Sequence, residues 1–290
     1  MPILLVLIVI VIMNVQPNIV YDSALNMPPS LAHIFGTDAL GRDVWSRTVV
    51  GTFYSIVMML SALLVALVIG VSVGVISGLS SKKVGDSVMI VVDFMNSLPN
   101  IVYVLLIVSL LKPTIWTIPI IIGCCSWMTI ARHVRMTLLK ERQLATIQMA
   151  KQIGTTKWHR FKRYSVPAVL PVVSMTAVQE AMHMLFTETT ISFLGFGLPL
   201  NTPTLGNLLI DAQQYFLLGS WWNIVFPGLC LAAISIALLQ VKHFMVRGGD
   251  IDVKRQRCKR FLQWPFGRRK GDVSITSRGK ATINREEWHW

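Results

Sequence analysis

The amino-acid sequence predicts an all-α, polytopic membrane protein with about six transmembrane helices. Hydrophobic residues make up 53% of the 290 positions and charged residues only 14%, and the mean hydropathy is +0.58. Soluble domains carry about 25% charged residues, so this composition excludes that class. A bilayer core of about 30 Å needs about 20 apolar residues in one helix. Apolar runs near that length lie at 2–15, 49–79, 88–111, 115–131, 166–186 and 223–246.

The first apolar run is short for a membrane span and must borrow Asn14, Gln16 and Pro17 at its outer end. A cleaved signal peptide is the alternative interpretation, but such peptides usually begin with basic residues and end at a small-residue cleavage site. The opening Met1-Pro2-Ile3-Leu4 shows neither feature, so we expect a retained anchor, and a native start upstream of Met1 stays open. Residues 1–48 are then a first transmembrane anchor followed by an external loop.

Lys and Arg residues predict the orientation of the chain. Residues 132–163 hold nine of them against one acid, Glu141, and residues 247–290 hold twelve against five acids. Because basic segments stay on the cytoplasmic side, we expect both termini there, with 247–290 as a basic cytoplasmic tail. The composition of the tail also predicts that it is mostly disordered. Contact with the lipid bilayer explains the basic charge, so the pI of about 10.0 does not indicate nucleic-acid binding.

The second apolar run carries a small residue at every fourth position. These residues share one helical face and are Ala62, Ala66, Gly70, Gly74 and Gly78. Such a face lets two helices approach closely in a membrane, where no hydrophobic force drives their association. The pattern predicts a packing face within a helix bundle.

Five polar side chains inside or beside the apolar runs are candidates for a translocation path: Asp93, Asn96, Glu180, His183 and Thr187. An Asp near the bilayer centre costs about 2.5–3.5 kcal/mol, so such groups should face a cavity or a partner. Glu180, His183 and Thr187 are spaced three and four residues apart and share one helix face. Hydrogen bonding between helices explains them equally well, and both interpretations stay open.

The sequence predicts neither a metal site nor a catalytic site. Met182, His183 and Met184 are adjacent, and adjacent helix positions point in different directions, so these three cannot close on one ion. The four cysteines show no disulfide or zinc spacing. No Gly-x4-Gly-Lys-(Ser/Thr) phosphate loop occurs. We therefore expect a non-catalytic chain that binds no cofactor itself.

The basic segment between two apolar runs has a distinctive spacing. It carries Gln148-Met149-Ala150, then Gly154 after three residues, then Tyr164-Ser165-Val166-Pro167 after nine. This spacing resembles the cytoplasmic "EAA" loop, E-A-A-x3-G-x9-I-x-L-P, by which permease subunits of bacterial ABC importers dock onto their ATPase partners. The resemblance implies a helix, a glycine turn and a second short helix within 132–165. It places these residues at the ATPase: Gln148, Ala150, Gly154, Trp158, Phe161 and Pro167.

One substitution within this loop affects the expected contact. Gln148 stands where the family has Glu, so its side chain can hydrogen-bond to the ATPase but cannot form an ion pair.

A second motif lies between the first two apolar runs. Residues 33–47 read H-I-F-G-T-D-A-L-G-R-D-V-W-S-R. They resemble the signature H-x-(F/L)-G-T-D-x-x-G-R-D-V-x-S-R of the C-type permeases in the dipeptide/oligopeptide/nickel transport family, and residues 188–207 and 221–228 resemble further stretches of it. Glycines permit tight turns, and Asp and Arg can form ion pairs. The motif is expected to fix an external loop through Gly36, Thr37, Asp38, Gly41, Arg42 and Asp43.

The resemblance implies the type I ABC importer permease fold over residues 49–246, in a bacterial inner membrane. It also implies half of an ATP-driven pathway, completed by a second homologous permease, two ATPase subunits that hold ATP and Mg²⁺, and an extracellular solute-binding protein. The substrate stays open between peptides and nickel- or cobalt-type metal chelates. The alternative function is an ATP-independent secondary transporter or channel, which would use Asp93 and Glu180 as ion sites.

Overall fold

The computed structural model describes residues 17–20, 25–152, 154–216 and 219–262. Ten α-helices cover most of this part of the chain, and its β-structure is confined to two isolated bridges, which confirms the all-α prediction. Two short π-helical segments, Phe161–Ser165 and Ser192–Phe196, precede and follow the helix Val166–Ile191. The helices are α1 (Val44–Leu79), α2 (Lys82–Asn96), α3 (Asn100–Leu110), α4 (Thr117–Ser126), α5 (Met128–Arg142), α6 (Ala145–Gln152), α7 (Lys157–Arg160), α8 (Val166–Ile191), α9 (Leu205–Phe216) and α10 (Trp222–Leu262).

Several stretches of this structure are long and apolar enough to cross a membrane, so the multi-pass prediction is confirmed. The pair α2 and α3 is one further candidate, bent by 78° at its junction. Within the described residues this gives four or five spans, where the sequence predicts five; the predicted run at 2–15 lies outside them. The four unbroken candidates are Val44–Leu79, Thr117–Arg142, Trp158–Phe196 and Trp222–Arg247.

The bend between α2 and α3 has a local cause. Pro99 precedes α3 with φ −58° and ψ 125°, which is not a helical conformation. Proline has no N–H for the helical ladder, and it disfavours the helical region for the residue before it. The apolar run at 88–111 therefore folds as two helices rather than one.

The small-residue face of α1 packs against α5. Ala62, Ala66 and all three glycines of the face are buried. A Cβ atom on Gly70 would lie 2.8 Å from the Cβ of Ile130, and one on Gly74 would lie 2.7 Å from the Cβ of Val134. Real Cβ atoms do not approach that closely, so only glycine permits this helix separation. The two helices contribute to one core that also includes residues of α3, α4 and α8.

We expect Gly74→Ala to destabilise the fold by about 1–3 kcal/mol, because the added methyl forces α1 and α5 apart. Gly228→Ala is the matched control, since nothing lies within 4 Å of the Cβ that it adds to α10. Thermal unfolding of the two purified variants in detergent compares them. Equal unfolding temperatures would contradict the close packing of α1 on α5.

Helices extend further into the basic segments than the sequence predicts. α5 continues to Arg142, so the first residues of the predicted 132–165 loop are helical. α10 continues to Leu262, so the start of the tail is helical rather than disordered, and residues 263–290 lie outside the described residues. Both extensions follow a helix that has already formed, and Lys and Arg are good helix formers that prolong it. The chain divides into two compact units, Met1–Val246 and Arg247–Trp290.

Candidate functional site

The segment 145–165 joins α5 to α8 and is called the coupling segment below. α6 and α7 meet at Gly154, whose φ of +83° lies in the left-handed region that favours glycine. The Thr155 amide donates to the Ala150 carbonyl at 3.2 Å, and the Thr155 hydroxyl donates to the same oxygen at 2.7 Å. Arg160 Nη1 also donates to the Thr155 carbonyl. These bonds close the end of α6 and fix the direction of α7.

The coupling segment presents an exposed surface. Gln148 is exposed and Ala150 is buried, so α6 faces outward on one side. Trp158 is 71% exposed, and its ring centroid lies 5.8 Å from that of the half-buried Phe161. Pro167 lies near the start of α8, directly after the π-helical segment Phe161–Ser165. An exposed tryptophan beside basic residues is typical of an anchor for a protein groove.

The motif at 33–47 builds a cluster of four charges, called the charge cluster below: Asp38, Arg42, Arg47 and Asp211. Asp38 Oδ2 lies 2.7 Å from Arg42 Nε and 2.7 Å from Arg47 Nη1. Arg47 Nη2 lies 3.1 Å from Asp211 Oδ2, and Arg42 Nη2 lies 3.5 Å from the same oxygen. Burial raises the pKa of Asp211, and the guanidinium groups of Arg47 and Arg42 oppose that rise.

The charge cluster joins distant parts of the chain. Arg47 belongs to α1, Asp211 to α9, and Asp38 to the loop before α1. Arg47 is only 1% exposed, and its Nη2 also donates to the Leu200 carbonyl at 3.2 Å. Arg47 is part of the matched signature but was not predicted as a site residue. Asp211 was not predicted either, and its one signal in the sequence is that it lies in a stretch without Lys or Arg.

Asp43 does not join the charge cluster. Its carboxylate accepts hydrogen bonds from the Ser46 amide at 2.8 Å and the Ser46 hydroxyl at 2.7 Å, so it caps the start of α1. Its other oxygen lies 3.1 Å from His33 Nδ1. The expected ion pairing of the motif therefore falls to Asp38 and Arg42, while Asp43 shapes the helix start.

Gly36, Thr37 and Gly41 hold the loop against the start of α10. Gly36 and Gly41 both have a φ of +73°. A Cβ on Gly36 would lie 2.6 Å from the Met27 carbonyl oxygen and 2.9 Å from the indole nitrogen of Trp222. That indole nitrogen donates to the Thr37 carbonyl at 3.1 Å. The motif therefore packs between the starts of α1 and α10, and its ion pairs connect it to α9.

A cavity of about 330 Å³ lies where α2 and α3 meet. Its walls come from that junction and from α4, α5 and α8, so the bend at Pro99 contributes to its shape. Of the five predicted path residues, Asn96, Glu180 and His183 line it. The lining residues are Asn96, Leu98, Pro99, Asn100, Tyr103, Cys125, Ser126, Met128, Thr129, Gln179, Glu180 and His183.

The structure does not bring the other two predicted path residues into this cavity. Asp93 is 58% exposed and forms an ion pair with Arg132 of α5. Thr187 is buried, and its hydroxyl donates to the His183 carbonyl one turn earlier at 2.8 Å. A threonine hydroxyl inside a helix commonly donates to the carbonyl one turn earlier. The spacing of Thr187 from His183 therefore does not require both side chains to face the cavity.

Among the described residues, no group of three or more His, Cys, Asp or Glu side chains is placed to hold a metal ion. Of the triplet Met182-His183-Met184, His183 is the residue that lines the cavity. Glu180 is the other titratable residue of α8 in the cavity wall.

Comparison with known proteins identifies the family. Residues 70–247 match the profile of the binding-protein-dependent transport system inner membrane component. The chain is 30% identical over 224 residues to a Brucella suis protein assigned as a peptide permease, covering 76% of this chain and 74% of that protein. It is 28% identical over 212 residues to the dipeptide transport system permease protein of Bacillus subtilis, covering 73% and 66% of the two chains.

A solved structure has the same fold. The MetNI methionine ABC transporter in an inward-facing conformation superposes with a TM-score of 0.56 at 17% identity, covering 68% of this chain and 94% of that chain. Such low identity supports the fold alone, while the profile and the relatives carry the family assignment. The chain therefore belongs to the binding-protein-dependent transport system inner membrane components, as an ABC importer permease of the dipeptide/oligopeptide family.

Proposed function

We propose that this chain forms one half of the membrane pathway of an ATP-driven peptide importer. One observation carries the proposal: the coupling segment is covalently continuous with two of the helices that line the cavity. It follows α5, which supplies Met128 and Thr129, and it leads into α8, which supplies Gln179, Glu180 and His183. A displacement of this segment is therefore transmitted to the cavity wall through α5 and α8.

The complete importer would contain partners. A second homologous permease would supply the other half of the pathway, two ATPase subunits would hold ATP and Mg²⁺, and an extracellular binding protein would deliver the substrate. Closure of the ATPases on ATP would displace the coupling segment. Because α5 and α8 are packed in one core with α1, that displacement would turn them as a rigid body and change which side of the membrane the cavity faces.

The geometry of α1 supports one orientation. The charge cluster lies at the start of α1, and Arg142 at the end of α5 donates to the Ser80 carbonyl at the end of α1, at 3.3 Å. The charge cluster and the coupling segment are thus at opposite ends of a helix about 54 Å long, given about 1.5 Å per residue. If the coupling segment meets cytoplasmic ATPases, the charge cluster faces the outside. The cytoplasmic location of both termini rests on the distribution of Lys and Arg in the sequence.

Peptides are the favoured substrate class, because the relatives at 28–30% identity are named as peptide or dipeptide permeases. The test is reconstitution of the chain with its partner permease, ATPases and binding protein in liposomes. We expect ATP-dependent uptake of a labelled dipeptide and weaker or no uptake of a nickel chelate. The reverse preference would overturn the substrate assignment.

The same liposomes test the ATP-independent alternative. Uptake driven by a proton or sodium gradient, with the ATPases omitted, would favour a secondary transporter. Of the two residues that this alternative would use as ion sites, the structure places Glu180 in the cavity wall but not Asp93. Asp93 instead pairs with Arg132 and does not line the cavity.

A further inference from the structure

The cavity wall offers hydrogen-bond acceptors that the chain itself leaves unused. Asn100 lines the cavity, and its Oδ1 is buried without a hydrogen-bond partner among the described residues. Glu180 also lines it, and its carboxylate is buried, with a hydrogen bond from Thr129. A carboxylate has about four acceptor positions, so a single hydroxyl leaves most of them open. A buried acceptor without a donor costs about 1–3 kcal/mol, which favours a ligand that donates.

Two donors of the same wall are already engaged. Asn100 Nδ2 donates to the Ser126 hydroxyl at 2.9 Å, and the Tyr103 hydroxyl donates to the Met95 carbonyl at 3.0 Å. None of the described residues that line the cavity is Lys or Arg. The open acceptors at this wall are therefore Asn100 Oδ1 and the Glu180 carboxylate.

Five charged or titratable groups lie at this site, and two of them are Tyr103 of α3 and Cys125 of α4. Glu180 and His183 come from α8, and Lys242 comes from α10. The Lys242 ammonium donates to Oε1 of the lining residue Gln179 at 2.8 Å. Lys242 therefore places one alkylammonium group at the edge of the wall. The remaining acceptor positions of Glu180 stay open for a second alkylammonium group.

We propose that the cavity binds an alkylammonium group, with Glu180 as its counter-charge and Asn100 Oδ1 as a second acceptor. An ammonium group carries three N–H donors, which matches this acceptor set. Resting on the proposed function, the group would be the protonated amino terminus of a peptide, or a lysine side chain, during passage. A volume of about 330 Å³ is in the range of small-molecule sites.

Cys125 provides a reporter inside the cavity, because it lines the wall. In membranes containing the full transporter, Cys124, Cys230 and Cys258 of this chain are replaced with Ser. Cys125 is then modified with a methanethiosulfonate reagent that carries either an ethylammonium or an ethylsulfonate group, and the mass shift of this chain gives the two rates. We expect the cationic reagent to react faster.

The variant Glu180→Gln should lower the ratio of cationic to anionic rates about tenfold, because it removes the counter-charge. Asn100→Asp should raise the ratio, since it adds a second carboxylate to the same wall. Glu141→Gln is the control: it removes a carboxylate from the end of α5, outside the cavity, and should leave the ratio unchanged. An unchanged ratio in both cavity variants, or no reaction with either reagent, would overturn the proposal.

Protection of Cys125 distinguishes the two sources of the ammonium group. Ala-Ala offers only an amino terminus and Nα-acetyl-lysine offers only a side-chain ammonium, so protection by either supports the site and identifies its ligand. Protection by neither would count against it. None of these measurements needs ATP, so a cation-selective cavity in a transporter that fails to import peptides would refute the proposed function alone.

Discussion

Replacing Arg47 with Met is expected to destabilise the chain by about 3–5 kcal/mol, the usual cost of removing one partner from a buried ion pair. Arg47 is 1% exposed, and its guanidinium lies between the carboxylates of Asp38 and Asp211. Without it, two carboxylates share the single Arg42. Chemical unfolding of the purified chain in detergent, followed by tryptophan fluorescence, measures the loss.

The double variant Arg47→Met with Asp211→Leu is the matched control. It removes one charge of each sign and leaves the Asp38–Arg42 pair, whose atoms lie 2.7 Å apart, so the remaining charges balance. We expect it to recover more than half of the lost stability, since a buried ion pair can be replaced by apolar residues at little cost. A double variant no more stable than the single one would show that Arg47 acts through packing or its bond to the Leu200 carbonyl.

The pH dependence of Arg47→Met follows from Asp211. Burial raises the pKa of this carboxyl in the folded chain, and Arg47 counteracts the rise. Without Arg47, the folded pKa rises further above the unfolded value, so the folded state binds the proton more tightly than the unfolded state does. Stability then increases as pH falls. We expect the deficit of the variant to shrink from pH 7 to pH 5, and a deficit that grows would contradict the argument.

Periodicity and spacing predicted the parts of this fold that depend on local sequence. The small-residue face of α1 follows from a small residue at every fourth position, whereas the glycine turn at Gly154 was implied by the resemblance to the family's loop. Helix limits were less predictable. α5 and α10 run on into basic segments, because a helix that has formed can be prolonged by residues that would not start one.

Sequence alone could not decide which polar groups share a space. Glu180 and Glu188 both lie on α8, eight positions apart, yet only Glu180 lines the cavity. Glu188 is enclosed, and its carboxylate accepts a hydrogen bond from the Ser192 hydroxyl at 3.1 Å. The difference depends on which helices pack beside each turn. The pairing of Asp211 with Arg47, across 164 positions, has the same tertiary origin.

Replacing Gly154 with Val is expected to lower ATP-dependent uptake at least about tenfold while leaving the chain inserted in the membrane. The φ of +83° costs an L-residue about 1–2 kcal/mol, and more for a β-branched one, so the turn between α6 and α7 loses its conformation. A difference of about 1.4 kcal/mol changes the population of that conformation tenfold. Uptake by proteoliposomes and ATPase activity with liganded binding protein should fall together.

The matched control is Gly154→Asn, because asparagine tolerates the left-handed region better than other non-glycine residues. Nothing lies within 4 Å of a Cβ at this position, so neither substitution meets a steric block within the described chain. Retained uptake with Asn and lost uptake with Val would therefore locate the effect in the backbone of the coupling segment. Equal loss in both variants would instead indicate that the ATPase contacts this position directly, because any side chain would then obstruct docking. Full activity of the Val variant would mean that movement reaches α5 and α8 by some route other than this turn.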